Sequence, residues 1–376
     1  MTSKLLQELK CLPEASTELP FNTRIWLADM WLFSVLCSTV LPAVISSAAV
    51  IEPQVPLSPT TALPIPLLGF GTWNLKVDPS NTTAAVAKAI EVGYRHIDCA
   101  AAYGNQPAVG KGIAQGLSTV GLERKDIWVT SKLWNDHHEP DKVEDGLDDT
   151  LRDLGLDYLD LYLMHWPVGN TGEDGELEFD YIPTWHAMEH LLSTKKVKHI
   201  GVSNFSPSQL KRLIANSTTK PAAHQMELHP YLQQQWWVDF HQHLGIHVTA
   251  YSPLGNLNPT YKDSSSSSIS FSPSKKKEKP KTPPLLLDNL VLKEIATERN
   301  CTIPQVALAW GMGRGTSVIP KSSHEKWIRE NYGAKSCALV ENDVEAIERV
   351  GRQYLHRFNN PGKGWHVKLF EGLDGA

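Results

Sequence analysis

The sequence predicts an α/β fold, a single (β/α)8 TIM barrel carrying an amino-terminal extension. Three observations predict it. From residue 63 onward, short apolar runs alternate with helix-like segments. Eight such runs can be counted. Polar side chains recur at or near the carboxyl end of one run after another. Repeated βα units imply a parallel sheet, and eight of them imply a closed barrel. A doubly wound open sheet is the alternative. Against it, Gly69-Phe-Gly71 is only a fragment of the Gly-x-Gly-x-x-Gly that a dinucleotide-binding sheet of that kind places after its first strand.

The strand candidates, in order, are Leu67–Trp73, His96–Ala100, Ile127–Leu133, Leu159–Trp166, His199–Asn204, Ala222–Glu227, Ile246–Ser252 and Ser317–Lys321. Helical patterns lie between them. Ala84, Ala85, Ala87, Ala89 and Ile90 lead to Gly93 as a C-cap, and further helices are expected over Asp141–Leu154, Tyr181–Leu192, Ser206–Ala215 and Gln233–Leu244. The segment Pro259–Pro284 breaks the pattern with five consecutive serines and the run Lys275-Lys-Lys-Glu-Lys279. It reads as a low-complexity insertion after the seventh strand, more simply a tolerated surface loop than a lid. The expected organisation is an extension over 1–51 and a barrel over 52–376, with the insertion at 259–284.

Asp98, Lys132, His165, Ser203, Asn204, Gln225, Tyr251 and Lys321 fall at or near the carboxyl ends of their strands, the active face of this fold. Tyr103 follows Asp98 in the adjoining loop. Any one of these alone is more simply structural; their recurrence at one phase is the signal. If Asp98, Tyr103, Lys132 and His165 meet, the Lys132 ammonium lowers the Tyr103 phenol pKa from its usual value of about 10, and Asp98 holds Lys132. A neutral His165 can then orient a substrate oxygen. That set suits a carbonyl taking a hydride at carbon and a proton at oxygen. No side chain supplies a hydride, so a nicotinamide cofactor is implied. Tyr251 offers a face for stacking on its ring. Ser203, Asn204 and Gln225 offer polar groups to its carboxamide, and Lys321 and Ser322 suit a phosphate.

The chain from about Leu63 to the end resembles the aldo-keto reductases, most closely the fungal NADP-dependent alcohol, glycerol and aldehyde reductases. The matching stretches include Leu68-Gly-Phe-Gly-Thr-Trp73, Gly93-Tyr-Arg-His-Ile-Asp98, Thr130-Ser-Lys-Leu-Trp134, Met164-His-Trp-Pro167, Gly201-Val-Ser-Asn-Phe205, Ala250-Tyr-Ser-Pro-Leu254, Val318-Ile-Pro-Lys-Ser322 and the tail Arg357–Trp365. The resemblance implies a catalytic tetrad of Asp98, Tyr103, Lys132 and His165, with Tyr103 the general acid in reduction. It implies cofactor contacts from Trp73, Ser203, Asn204, Gln225, Tyr251, Ser252, Leu254, Lys321, Ser322, Glu330 and Asn331. It also implies a substrate pocket lined by Trp73, Trp134, His165 and Trp166, closed on one side by the tail after Phe358.

Two positions depart from the family pattern. Trp327 stands where the family usually places an Arg on the 2′-phosphate of NADPH, so NAD is admitted beside NADP, with Lys326, His324 or Arg329 as the available substitutes. Asn258 stands where several members carry an Asp that closes a loop over the cofactor, and faster cofactor exchange is expected. The alternative function is a nucleotide-binding barrel acting as a sensor or regulatory partner.

The chain has 376 residues, a formal net charge of −5 and 41% hydrophobic residues, enough for a large core and no reason to expect nucleic acid as a partner. The expected partner is a small carbonyl or polyol substrate, and the expected state a monomer. Five cysteines show no paired spacing, which argues against a zinc site or a disulfide framework, and no His-Glu-x-x-His supports a metal. Met30–Ile51 is uncharged and long enough to cross a bilayer, but Pro42 and several serines dilute it, and the mixed charges before it do not suit a signal peptide. A cytoplasmic protein is expected, with a membrane tether through 30–51 as the minority alternative.

Overall fold

The computed structural model describes residues 64–75, 79–169, 179–257 and 283–373. The extension 1–51, Asn258 and nearly all of the insertion 259–284 lie outside the described residues. Eight parallel strands run β1 to β8 in sequential order. They are β1 Phe70–Gly71, β2 His96–Asp98, β3 Trp128–Leu133, β4 Leu159–Met164, β5 Val197–Ser203, β6 Ala223–Glu227, β7 His247–Tyr251 and β8 Ser317–Val318. The ends join. Leu68 bridges Val318, the Gly69 amide donates to the Val318 carbonyl at 2.9 Å, and the Gly71 amide donates to the Pro320 carbonyl at 3.0 Å. The sheet is therefore the predicted closed barrel. β8 stops before Pro320, which has no N–H to give a ladder.

The helices are α1 Pro79–Val92, α2 Gln106–Val120, α3 Val143–Leu154, α4 Tyr181–Leu191, α5 Pro207–Ala215, α6 Gln235–His243, α7 Leu290–Glu298, α8 Ile303–Gly313, α9 Glu325–Tyr332 and α10 Glu341–Gln353. Their starts are written in sequence. Ser206 caps α5 by accepting from the Gln209 amide while the Gln209 side chain accepts from the Ser206 amide, and Pro207 fills the first turn. Thr302 and Gln305 repeat the device at α8. Gly93 does close α1, at φ +125°, a conformation that side chains resist.

Strand alternation divides the side chains into two sets. Ile97, Val129, Leu133, Tyr162, Met164, Val202, Met226, Val248 and Ala250 join the main core with the helices. The alternate positions on β2, β3, β6 and β7 belong to the other set: Asp98, Lys132, Gln225, Glu227 and Tyr251. Register then sets their heights. Asp98 aligns with Thr130, Lys132 with Leu163, Ser203 with Gln225, and Glu227 with Tyr251. A second cluster, built on Tyr231, Leu292, Val306, Trp310, Ile347 and Val350, packs α7, α8 and α10 together.

The cysteine expectation is corrected here. Cys301 and Cys337 form a disulfide, with Cα atoms 5.9 Å apart across a sequence separation of 36. It ties the α7–α8 turn to the segment between α9 and α10. Arg299 supports the same junction by a two-pronged bond to Asp343, at 2.7 and 3.2 Å. The pair has no signature in sequence spacing because helix packing alone brings it together. Among the described residues no helix is long and apolar enough to cross a membrane, and no cluster of His, Cys, Asp and Glu could hold a metal ion.

A loop of this length makes the disulfide worth about 2–4 kcal/mol, chiefly through the unfolded chain. Cys301→Ser is expected to lower the urea midpoint accordingly under oxidising conditions and to have no such effect in excess reductant. Peptide mapping without reduction should recover the linked pair.

Candidate active site

Asp98 ends β2 with its side chain buried in the barrel mouth. Lys132, on β3, is fully buried. Its ammonium donates to Asp98 Oδ1 at 2.6 Å, to the Cys99 carbonyl at 2.9 Å and to the Tyr103 hydroxyl at 3.2 Å. All three ammonium protons are thereby committed, and only one of the three acceptors carries charge. The second Asp98 oxygen accepts from the Gln225 carboxamide at 2.7 Å.

Tyr103 reaches this network from a tight turn, Ala101–Tyr103, closed by Gly104 in the left-handed region at φ 64°. The turn is pinned to the barrel. The Asn105 amide group donates to the Thr72 carbonyl at 2.9 Å, and the Thr72 hydroxyl donates to the Asp98 carbonyl at 2.9 Å. His165 follows β4, its backbone amide bonded to Leu133 and its carbonyl to the Asn204 amide group at 3.0 Å. Its ring stands edge-on to Tyr103, with centroids 5.8 Å apart. Asp98, Tyr103, Lys132 and His165 therefore do meet.

The electrostatics differ from the sequence expectation in one respect. Burial pushes the Tyr103 phenol up, to about 12; Lys132 pulls it down, but by less. The expected lowering by Lys132 is present as a contribution and absent as a net result. For Lys132 burial acts downward, yet Asp98 and Tyr103 outweigh it and the ammonium is held charged. His165 is driven well below the ordinary histidine range by burial and by the Lys132 charge, so its imidazole is neutral.

These groups open onto a cavity of about 350 Å³. Of the sequence-predicted residues, Trp73, Asp98, Tyr103, Trp134, His165, Trp166, Ser203, Asn204, Gln225, Tyr251, Ser252, Leu254 and Lys321 line it. Lys132 stands behind Asp98 and Tyr103. Ser322, Glu330 and Asn331 do not line it. Asn331 is buried on α9, and the Ser322 hydroxyl accepts from the His324 amide at 3.0 Å. The aromatic wall includes one more residue than the three predicted tryptophans. Trp365 from the tail packs edge-on against Trp166 at 5.1 Å and Trp134 at 6.1 Å.

Asn204 is more committed than the sequence suggested. Its amide group donates to the His165 carbonyl and to Ser203 Oγ, both at 3.0 Å, and its oxygen accepts from the Tyr251 hydroxyl at 2.8 Å. It fastens three predicted site residues together. Asn204 and Ser252 both take positive φ, 64° and 47°, at the ends of β5 and β7. Strained backbone of this kind concentrates at functional sites. Lys321 stands exposed at the rim with its pKa lowered by partial burial and has no acidic partner among the described residues. Of the substitutes for the missing Arg, Arg329 is paired with Glu325 at 2.7 Å, and Trp327 is half exposed, edge-on to His324 at 4.5 Å. Sequence reasoning missed Glu227, Asn359 and Pro361. The first is buried under the tail, and the other two line the cavity; the Arg357–Trp365 match hinted at those two alone.

Residues 67–352 match the aldo/keto reductase family. The chain is 45% identical over 323 residues to an uncharacterized oxidoreductase of Schizosaccharomyces pombe, covering 82% of this chain and 92% of that one. It is 39% identical over 333 residues to the D/L-glyceraldehyde reductase of Hypocrea jecorina, covering 82% and 92%. Its fold is similar to the crystal structure of a Bombyx mori aldo-keto reductase in complex with NADP, with a TM-score of 0.71 and 32% identity over 81% of this chain and 95% of that one.

Removing one member of a buried ion pair leaves the other charged and unpaired, at a cost of about 3–5 kcal/mol. Asp98→Ala is expected to destabilise the fold by that amount in urea titration. Asp98→Ala combined with Lys132→Met should recover much of it.

Proposed function

The chain belongs to the aldo/keto reductase family, and from that premise we propose that it reduces an aldehyde or ketone with NADPH, Tyr103 acting as general acid. The observation that carries this reading is the single ammonium of Lys132, bonded at once to Asp98 and to Tyr103. Such a group discriminates between the phenol and the phenolate it becomes. Its charge is fixed, its geometry is preset, and the surrounding burial strengthens its field as the proton leaves.

The residues at hand fit a nicotinamide cofactor. Tyr251 presents a ring held at its hydroxyl by Asn204. Ser203, at the end of β5, is the register partner of Gln225 on β6. Lys321, with no acidic partner among the described residues, offers a cation at the rim, suited to a phosphate. When bound, NADPH supplies the hydride to the carbonyl carbon. The chain supplies the rest. Tyr103 gives its proton to the carbonyl oxygen, Lys132 stabilises the phenolate left behind, and Asp98 keeps Lys132 in place. Neutral His165 orients the oxygen without competing as an acid. Trp73, Trp134, Trp166 and Trp365 exclude water from the reacting carbon. An aldehyde or polyol of the glyceraldehyde type fits this pocket. Monomer and cytoplasm are the proposed state and compartment; the Cys301–Cys337 disulfide is the feature that favours a more oxidising compartment instead.

With NADPH and DL-glyceraldehyde, turnover is expected, and Tyr103→Phe should cut kcat by about 10²–10⁴. Retained activity would reassign the acid, and no turnover by the unaltered protein with either NADPH or NADH would favour a nucleotide sensor. The pH profile carries a sign. A phenol pushed up to about 12 keeps its proton through neutral and mildly alkaline pH and loses it only as pH rises through that value. Reduction should therefore stay level across that range, and alcohol oxidation, which needs the phenolate, should rise with pH. A break near neutrality would contradict the assignment. Trp327→Arg should tighten NADPH by roughly tenfold relative to NADH, the worth of one charge-assisted bond.

A further inference from the structure

Glu227 is the last residue of β6, two positions beyond Gln225, and its side chain is completely buried. It takes no part in the proton network. Its Oε1 accepts from His229 Nε2 at 2.9 Å and from the Phe358 backbone amide at 2.8 Å. Its Oε2 accepts from the Asn359 backbone amide at 2.9 Å, with the Arg357 guanidinium 3.9 Å away. Burial alone would raise this carboxyl; His229, Arg357 and the Phe358 amide outweigh it and hold the group below the usual carboxylate range. The Glu227 carbonyl accepts from Gln234 at 3.0 Å, and Gln234 in turn accepts from Arg357 at 3.1 Å.

The chain held in this way crosses the mouth of the barrel. Its Asn359 side chain donates to the Tyr251 hydroxyl at 3.1 Å, and Tyr251 is the register partner of Glu227 on the neighbouring strand. A few residues on, Pro361 and Trp365 line the cavity. A buried ion is a poor way to gain stability alone, since an apolar side chain of similar size does as well. What it provides here is direction: two successive amides must point at one carboxylate, and that fixes where the tail lies.

We propose that Glu227 is a positioning residue for carbonyl reduction: by gripping the Phe358 and Asn359 amides it sets the Asn359 carboxamide on the Tyr251 hydroxyl and Trp365 against the substrate pocket. The inference rests on the reductase reading above. Glu227→Gln tests it, because the substitution preserves shape and replaces one acceptor oxygen by a donor that must face an N–H.

Hydrogen exchange of the peptide spanning residues 355–366 should quicken in Glu227→Gln, with peptides from β2 to β4 unchanged. This readout needs no activity, so it separates a failed clip from a failed reductase assignment. In steady state, KM for 4-nitrobenzaldehyde, large enough to meet Trp365, should rise about tenfold, the worth of one buried charge-assisted bond. KM for the smaller DL-glyceraldehyde should rise less than that for 4-nitrobenzaldehyde, so that the ratio of the two KM values shifts. Unchanged exchange, or an equal loss of kcat for both substrates, would overturn the proposal. If Glu227→Gln does not fold, Asn359→Ala removes only the far end of the clip. It should raise the Kd for NADPH several-fold in a fluorescence titration, and an unchanged Kd would likewise overturn it.

Discussion

The ion pair between Asp98 and Lys132, 2.6 Å apart with both side chains buried, governs the arrangement of the barrel mouth. Neither charge is tolerable there without the other. Each then has bonding capacity left over, and the neighbours are arranged to use it. The spare ammonium protons fix the Cys99 carbonyl and the Tyr103 hydroxyl; the spare carboxylate oxygen fixes Gln225 from the far side of the barrel. A structural necessity, satisfying a buried pair, thus also produces the alignment that proton transfer needs.

Much of this was legible in the sequence. Strands buried on both faces read as continuous apolar runs, so the polar residues within them stood out, and Asp98, Lys132, His165 and Gln225 could be found by phase alone. Tyr103 was found through its neighbour. The direction of the Tyr103 shift was not legible, because it is a contest between a nearby cation and burial, and burial has no sequence signature. Nor was the Glu227 clip. Its partners are backbone amides more than a hundred residues away, and amides look alike in every sequence. The Cys301–Cys337 bond escaped for the same reason: helix packing, not spacing, joins its ends.

Backbone strain adds a second layer. Asn204 and Ser252, which both line the cavity, hold left-handed conformations, and Asn204 has each polar atom of its carboxamide in a hydrogen bond. Asparagine is among the few residues that accept this conformation readily. The bonds to Ser203, His165 and Tyr251 keep it there, so the Tyr251 ring and the loop bearing His165 are placed by one side chain that need touch no reacting atom.

The disulfide divides the site in a way its location first conceals. The covalent loop from Cys301 to Cys337 encloses α8, β8 and α9, and with them Lys321, Ser322, Trp327, Glu330 and Asn331. Asp98, Tyr103, Lys132 and His165 all lie outside it. The residues expected to choose the cofactor and those proposed to move the proton thus lie on separate stretches of chain, one inside the covalent loop and one held by its own buried charges. On the proposed assignment, substitutions aimed at cofactor preference fall within the staple, and those aimed at the proton network fall outside it.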